Sequence, residues 1–122
     1  MPRHTEIGHA ILAGSGSELL ELAATIALTH HERVDGSGYP CGSAGEEIPL
    51  LGRIAAVADV FDALTSHRPY RPRYAVADAV AILSDGRGTD FDPRVLGAFF
   101  ALENGLRALG YGPEDPKQRA AA

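Results

Sequence analysis

The sequence predicts an all-α fold of about five helices, because apolar residues recur at helical spacing and no segment shows sustained strand alternation. Capping chemistry supports this interpretation. Ser17 and Asp92 have side-chain oxygens that can accept hydrogen bonds from a first helical turn, and Pro49 and Pro93 suit first-turn positions. We expect one domain over residues 1–109 and a frayed tail over residues 110–122.

Two helices are expected before residue 30. The first begins near Thr5, carries apolar residues at helical intervals and ends at the break formed by Gly14, Ser15 and Gly16. The second begins after Ser17 and reaches two adjacent histidines, residues 30 and 31.

Three further helices are expected after residue 48. The third begins near Pro49 and stops near Ser66, the fourth runs from about Val76 to Leu83, and the fifth begins at Pro93. The apolar residues assigned to the third and fifth helices are Leu50, Ile54, Val57, Val60, Phe61, Leu64, Val95, Leu96, Phe99, Phe100 and Leu102.

Residues 35–47 form a segment that we call the glycine-rich loop. It contains four glycines and one proline in the run DGSGYPCGSAGEE, too many for a helix or a central strand. A loop of this length in a compact domain usually has a function, such as ligand contact. The alternative is a packed structural turn.

Composition excludes several classes of protein. The apolar fraction of 45% and charged fraction of 22% are those of a globular domain. The net charge of −5 gives no electrostatic footprint for duplex DNA or an anionic membrane, and no stretch is apolar enough for a membrane helix. With a single cysteine and no signal-peptide pattern at the N-terminus, we expect a cytoplasmic protein.

Four residues are candidate metal ligands. Adjacent helical side chains diverge by about 100°, so His30 and His31 can share one site only if it is wide, as a metal pair is, or if the helix is ending. Asp59 has apolar neighbours in sequence, so its carboxylate is expected to need a metal or a buried partner. His4, just before the first predicted helix, is the weakest candidate. Exposed surface histidines are the alternative interpretation.

Three charged residues are candidates for substrate contact. Asp62 follows Asp59 by three positions and lies on nearly the same helical face. Arg68 and Arg71 are held by prolines in the segment HRPYRPRY, which suits phosphate binding in a protein of negative charge. For all three, a solvated surface is the alternative.

Together these motifs resemble HD-GYP domains. The resemblance rests on HHE at residues 30–32, DGSGYP at 35–40, EEIP at 46–49, ADVFDALT at 58–65, RPYR at 68–71 and GTDFDP at 88–93, and it covers residues 1 to about 105. The family is an all-helical bundle of HD-type metal-dependent phosphohydrolases that hydrolyse cyclic di-GMP to pGpG and, in some members, to GMP.

The resemblance implies roles for individual residues. It implies that His4, His30, His31 and Asp59 are ligands of iron or manganese. It also implies that cyclic di-GMP is the substrate. The implied substrate contacts are Gly38, Tyr39, Pro40, Asp62, Arg68 and Arg71. The glycine-rich loop corresponds to the family's GYP loop, which is linked to contacts with diguanylate cyclase domains.

One family motif is missing. The pattern His-Asp-x-x-x-Lys belongs upstream of His4, and no His-Asp pair occurs in this chain. We therefore expect a partial HD-GYP domain that binds one metal ion rather than a bridged pair, with apolar surface left for dimerisation. A truncated gene, a start codon assigned inside a longer frame and a deliberate fragment are the open explanations. Two functions follow: a cyclic di-GMP phosphodiesterase, or an inactive fragment that binds nucleotide or protein.

Overall fold

The computed structural model describes residues 3–70 and 72–108, and within them the fold is all-α, as predicted. Its five α-helices are α1 (His4–Leu12), α2 (Glu18–Thr29), α3 (Leu50–Thr65), α4 (Val76–Asp85) and α5 (Pro93–Ala108). A short 3₁₀ helix, Gly45–Glu47, follows within the glycine-rich loop. The predicted tail over residues 110–122 lies outside the described residues.

Two helix starts form by the predicted capping chemistry. The hydroxyl of Ser17 accepts a hydrogen bond from the backbone N–H of Leu20 at 3.4 Å, at the start of α2. Asp92 accepts from the backbone N–H groups of Arg94 at 2.7 Å and Val95 at 3.4 Å, at the start of α5. These bonds satisfy N–H groups that have no partner inside the helix.

Helices α3, α4 and α5 enclose the hydrophobic core. The buried cluster consists of Val57, Leu83, Phe91, Val95 and Leu96, with partly buried Val60, Phe61, Phe99 and Phe100 packed against it. Its members come from all three helices and from the turn before α5. This core holds α3 in place, and α3 carries Asp59.

Helices α1 and α2 form a hairpin that packs on α3 through α2. Small residues allow both close approaches. A Cβ added at Gly8 would lie 3.3 Å from the Cβ of Ala27, and one added at Gly52 would overlap the side chain of Thr29. Because Thr29 is the last residue of α2, Gly52 brings the end of α2, and the histidines after it, against α3.

The hairpin also exposes apolar side chains. Ile7, Ile11 and Leu19 are 54%, 76% and 75% exposed. Among the described residues, none of the helices combines the length and the hydropathy that crossing a bilayer requires.

A partly buried ion pair joins α3 to the start of α5. The Nη1 atom of Arg53 lies 2.8 Å from Oδ2 of Asp92, and its Nε donates to the carbonyl of Ile48 at 2.9 Å. Both side chains are largely shielded from water, at 14% and 11% exposure. Burial alone would raise the pKa of Asp92, but hydrogen bonds from Arg53, Arg94 and Val95 outweigh it and hold that pKa below its ordinary value.

We predict that Arg53→Met lowers the free energy of unfolding by about 3 kcal/mol, because it leaves the Asp92 carboxylate buried without its cation. Urea unfolding measures the loss. Arg94→Met is the matched control, since Arg94 and Glu46 form a 3.8 Å pair that is 88% and 84% exposed. Such a pair contributes little. Equal losses in the two variants would contradict the prediction.

Low pH should remove the contribution of Asp92 to the free energy of unfolding. Because its pKa is lowered in the folded state, its contribution is complete above the ordinary carboxyl pKa of about 3.9 and declines as the pH falls toward the lower folded value. We predict that the difference in unfolding free energy between the wild type and Asp92→Asn shrinks below about pH 4. A difference that stays constant down to pH 2 would contradict this assignment.

Candidate metal centre and its cleft

His30 is held in one orientation by the end of α2. It caps the helix, and its Nδ1 lies 2.9 Å from the carbonyl oxygen of Ile26 and 3.1 Å from that of Ala27. A carbonyl oxygen only accepts hydrogen bonds, so Nδ1 must carry the proton. The lone pair is therefore on Nε2, as in metal-binding histidines whose other nitrogen donates to a backbone carbonyl.

Three imidazoles converge from two helices. One nitrogen from each of His4, His30 and His31 lies within 4.8 Å of the others. Two ligands of a tetrahedral zinc-like ion are about 3.4 Å apart, at about 2.1 Å per bond. Inward movements of up to about 1 Å per side chain would thus fit one ion. The donor set fits a divalent transition metal, because imidazole is a common ligand for iron and zinc.

The electrostatics of the cluster favour neutral His31. Burial lowers the pKa of His31, the adjacent His30 and His4 lower it further, and Asp59 opposes them by raising it. The His31 ring also stacks on Tyr39, with centroids 5.0 Å apart and planes inclined by 11°. The neutral ring is the form that can donate a lone pair to a metal.

Asp59 shares a cleft with His30 and His31, whereas His4 is not among the residues that line it. The cleft has a volume of about 190 Å³, and we call it the histidine cleft. Its lining residues are His30, His31, Glu32, Arg33, Tyr39, Ala56, Asp59, Val60, Ile82, Asp90 and Phe91. Asp59 is exposed, so its carboxylate needs no partner to offset burial, and its role as a metal ligand stays a prediction. Its sequence neighbours are apolar, but they point to other faces of α3.

The carboxylate of Glu32 holds the glycine-rich loop through hydrogen bonds to its backbone. Its side chain is buried, with the residue only 3% exposed. One carboxylate oxygen accepts from the backbone N–H of Cys41 at 3.1 Å, and the other accepts from Gly42 at 3.0 Å and Ser43 at 3.3 Å. Because Glu32 directly follows His31, this carboxylate ties the loop to the histidines.

Gly38 packs where no side chain fits. A Cβ at this position would lie within 2.7 Å of backbone atoms of His31, Glu32 and Arg33. The backbone N–H of Tyr39 donates to the carbonyl of His31 at 3.3 Å. The missing Cβ therefore lets the loop lie directly on the histidine segment and brings Tyr39 against His31.

Comparison with known proteins identifies the family of this chain. Residues 1–95 match the model of a family described as the HD domain. The chain belongs to the HD-domain family. This confirms the family assignment made from the sequence motifs.

Named HD-domain relatives are enzymes of cyclic dinucleotides. The chain is 54% identical over 98 residues to the cyclic di-GMP phosphodiesterase response regulator RpfG of Xanthomonas campestris pv. campestris, covering 80% of this chain and 26% of that protein. It is 50% identical over 103 residues to a cyclic di-GMP phosphodiesterase of Thermotoga maritima, covering 84% of this chain and 28% of that protein. The chain therefore spans about a quarter of the length of these curated relatives.

A solved structure shares the HD-domain fold. The crystal structure of a cyclic GMP-AMP specific phosphodiesterase of Vibrio cholerae, V-cGAP3, superimposes with a TM-score of 0.64 at 27% identity. The match covers 87% of this chain and 23% of that one.

The remaining predicted site residues of this HD domain are dispersed. Asp62 accepts a hydrogen bond from the hydroxyl of Ser66 at 3.0 Å and is not among the residues that line the histidine cleft. Arg68 is half-buried and also absent from that lining. Pro40 follows a cis peptide bond with Tyr39. Arg71 lies outside the described residues. The substrate roles of these residues stay predictions.

Sequence reasoning missed three residues at the cleft: Glu32, Arg33 and Asp90. All three line it, and Arg33 forms an ion pair with Asp90. Glu32 and Arg33 directly follow the histidine pair, a position that could have drawn attention to them. A second cavity, of about 580 Å³, lies between α3 and α5 and is lined mainly by apolar side chains. It contains none of the histidines.

We predict that Glu32→Gln destabilises the fold by about 2 kcal/mol, because an amide replaces one acceptor oxygen with a donor that faces backbone N–H groups. We also expect the affinity for Mn²⁺ to fall about tenfold, since the loop supports the His31 segment. Urea unfolding and calorimetric metal titration measure the two effects.

Glu47→Gln is the matched control for this prediction. Glu47 lies in the same loop, is exposed, and accepts one backbone hydrogen bond, from Ala44 at 3.1 Å. We expect little change in either quantity. If both variants bound Mn²⁺ like the wild type, Glu32 would have no part in ordering the histidines.

Proposed function

We propose that this chain carries the metal centre of an HD-GYP phosphodiesterase that hydrolyses cyclic di-GMP to pGpG or GMP. The observation that carries the proposal is the convergence of His4, His30 and His31 within 4.8 Å. The names of the Xanthomonas and Thermotoga relatives support cyclic di-GMP as the substrate.

His4, His30 and His31 hold the metal ion in this proposal, and Asp59, which lines the same cleft as His30 and His31, is the fourth ligand. We take the ion to be iron or manganese. When bound, it supplies positive charge for the phosphoryl oxygens and makes a water molecule acidic enough to attack phosphorus. Nδ1 of His30 donates a hydrogen bond to the carbonyl of Ile26, which leaves the lone pair of Nε2 available to the ion.

The glycine-rich loop orients the substrate. Tyr39, stacked on His31, offers its ring and hydroxyl at the edge of the cleft, while Gly38 and Pro40 set the path of the backbone. Asp62, Arg68 and Arg71 contact the ligand by analogy with the family. The cleft, at about 190 Å³, is smaller than typical pockets for drug-sized ligands. It therefore takes one phosphodiester with its neighbouring groups, and the rest of the dinucleotide lies outside it.

The setting of this activity is also proposed. We place the protein in the cytoplasm, with diguanylate cyclase domains as partners of the glycine-rich loop and a second copy of the chain as a partner of the exposed hairpin. The alternative of a non-catalytic binding fragment draws no support from the relatives reported above, since each is named as a phosphodiesterase.

The test is hydrolysis by the purified chain, loaded anaerobically with Fe²⁺ or Mn²⁺. Cyclic di-GMP and 3′3′-cyclic GMP-AMP are compared as substrates. We predict that the double variant His30→Ala, His31→Ala loses bound metal and loses turnover by more than about 100-fold, because it removes two ligands. His67→Ala is the control, since His67 is exposed and outside the cleft.

Two results would overturn this proposal. Turnover that survives in the double variant would assign the hydrolysis to another site or to a contaminating enzyme. A wild-type chain that retains metal but hydrolyses neither cyclic dinucleotide would be a binding module rather than an enzyme.

A further inference from the structure

The histidine cleft needs a cation if it is to hold a phosphodiester. The chain has a net charge of −5, so its overall field repels an anionic ligand. Neither arginine expected to bind phosphate lines the cleft in the described part of the chain. Arg68 is absent from the lining, and Arg71 is not among the described residues.

Arg33 is the cationic side chain among the residues that line this cleft. It follows His31 by two positions, and its side chain is 50% exposed, so the guanidinium is open to a ligand. It lines the same cleft as His30, His31 and Asp59. The cation and the imidazoles therefore share one small space.

Asp90 fixes the direction of this guanidinium. It pairs with Arg33 through Nη1 from the turn between α4 and α5. A second contact holds the two segments together, since the backbone N–H of Asp35 donates to the carbonyl of Thr89 at 2.9 Å. The pair therefore bridges two segments that are joined independently of it.

Donor capacity remains on Arg33 after this pairing. A guanidinium carries five N–H donors in a planar fork that matches the oxygens of a phosphate. The contact with Asp90 is made by Nη1, and one carboxylate oxygen does not occupy all five donors. An exposed fork that is already oriented loses less entropy on binding an anion than a free lysine does.

We infer that Arg33 binds a phosphodiester oxygen of the cyclic dinucleotide in the histidine cleft. This inference rests on the proposed function for the identity of the ligand. It places a phosphate-binding cation in the segment that directly follows the histidine pair. Asp90, in the turn between α4 and α5, forms an ion pair with this cation.

The test is calorimetric titration of the full chain with cyclic di-GMP, first with EDTA, which prevents metal-dependent turnover, and then with Mn²⁺. We expect Arg33→Met to weaken binding about 10-fold to 100-fold, the usual range for losing a charge-assisted hydrogen bond. Arg33→Lys should lose less affinity for cyclic di-GMP, since lysine keeps the positive charge but lacks the planar set of donors of the guanidinium. Arg94→Met is the control, since Arg94 is a more exposed arginine in a surface pair outside the cleft.

Thermal unfolding is measured for each variant. Should Arg33→Met not fold, Arg33→Gln carries the same test, because it removes the charge with a smaller polar side chain. Affinity for cyclic di-GMP within twofold of the wild type in the folded variant overturns the inference. A loss of similar size in Arg94→Met also overturns it, since the effect would then come from overall charge.

Binding and turnover separate this inference from the proposed function. A wild type that hydrolyses cyclic di-GMP, with Arg33→Met binding normally, leaves the function standing and rejects Arg33. A wild type that binds cyclic di-GMP through Arg33 without hydrolysis supports the inference and rejects the enzyme. A wild type that binds no cyclic di-GMP, with or without Mn²⁺, rejects both.

Discussion

The buried carboxylate of Glu32 organises the candidate site more than any other single group. It is 3% exposed and accepts three backbone N–H groups from residues 41–43. Without it, those donors would lose a charged protein acceptor, and a hydrogen bond to a charged group contributes about 1.5–3 kcal/mol. Since Glu32 directly follows the histidine pair, the same interaction that folds the loop also fixes the end of α2. The conformation of the glycine-rich loop and the placement of the histidines therefore depend on the same interaction.

The histidines meet because two pairs of helices approach closely. Gly8 faces Ala27 between α1 and α2, and Gly52 faces Thr29 between α2 and α3. A larger side chain at either glycine would push a helix outward, which would separate His4 from the other histidines or the histidines from Asp59. Placement of the site thus depends on small residues a turn or more away from it. None of these glycines has chemistry of its own.

The helices could be predicted because their caps depend on nearby residues. Parts of the site could not, because they depend on contacts between residues distant in sequence. The caps at Ser17 and Asp92 depend on neighbouring residues only, so the sequence sufficed for them. The apolar sequence neighbours of Asp59 predicted a metal or a buried partner for its carboxylate, but helical geometry turns those neighbours away and leaves Asp59 exposed. The partners of Glu32 and Arg33 are 9 to 57 residues distant in sequence. The family resemblance could indicate these positions, but only folding shows what they touch.

The charge balance of the cleft explains why its residues would act together. Imidazoles that donate lone pairs to a metal are neutral, so the three histidines bring no positive charge of their own. Asp59 and Asp90 both line the cleft and add negative charge, which repels a phosphodiester. Among the described residues that line the cleft, Arg33 is the cationic side chain that can offset those carboxylates, and a bound metal ion would add to its charge. Metal and substrate binding should therefore be thermodynamically coupled, and each should strengthen the other by the same factor.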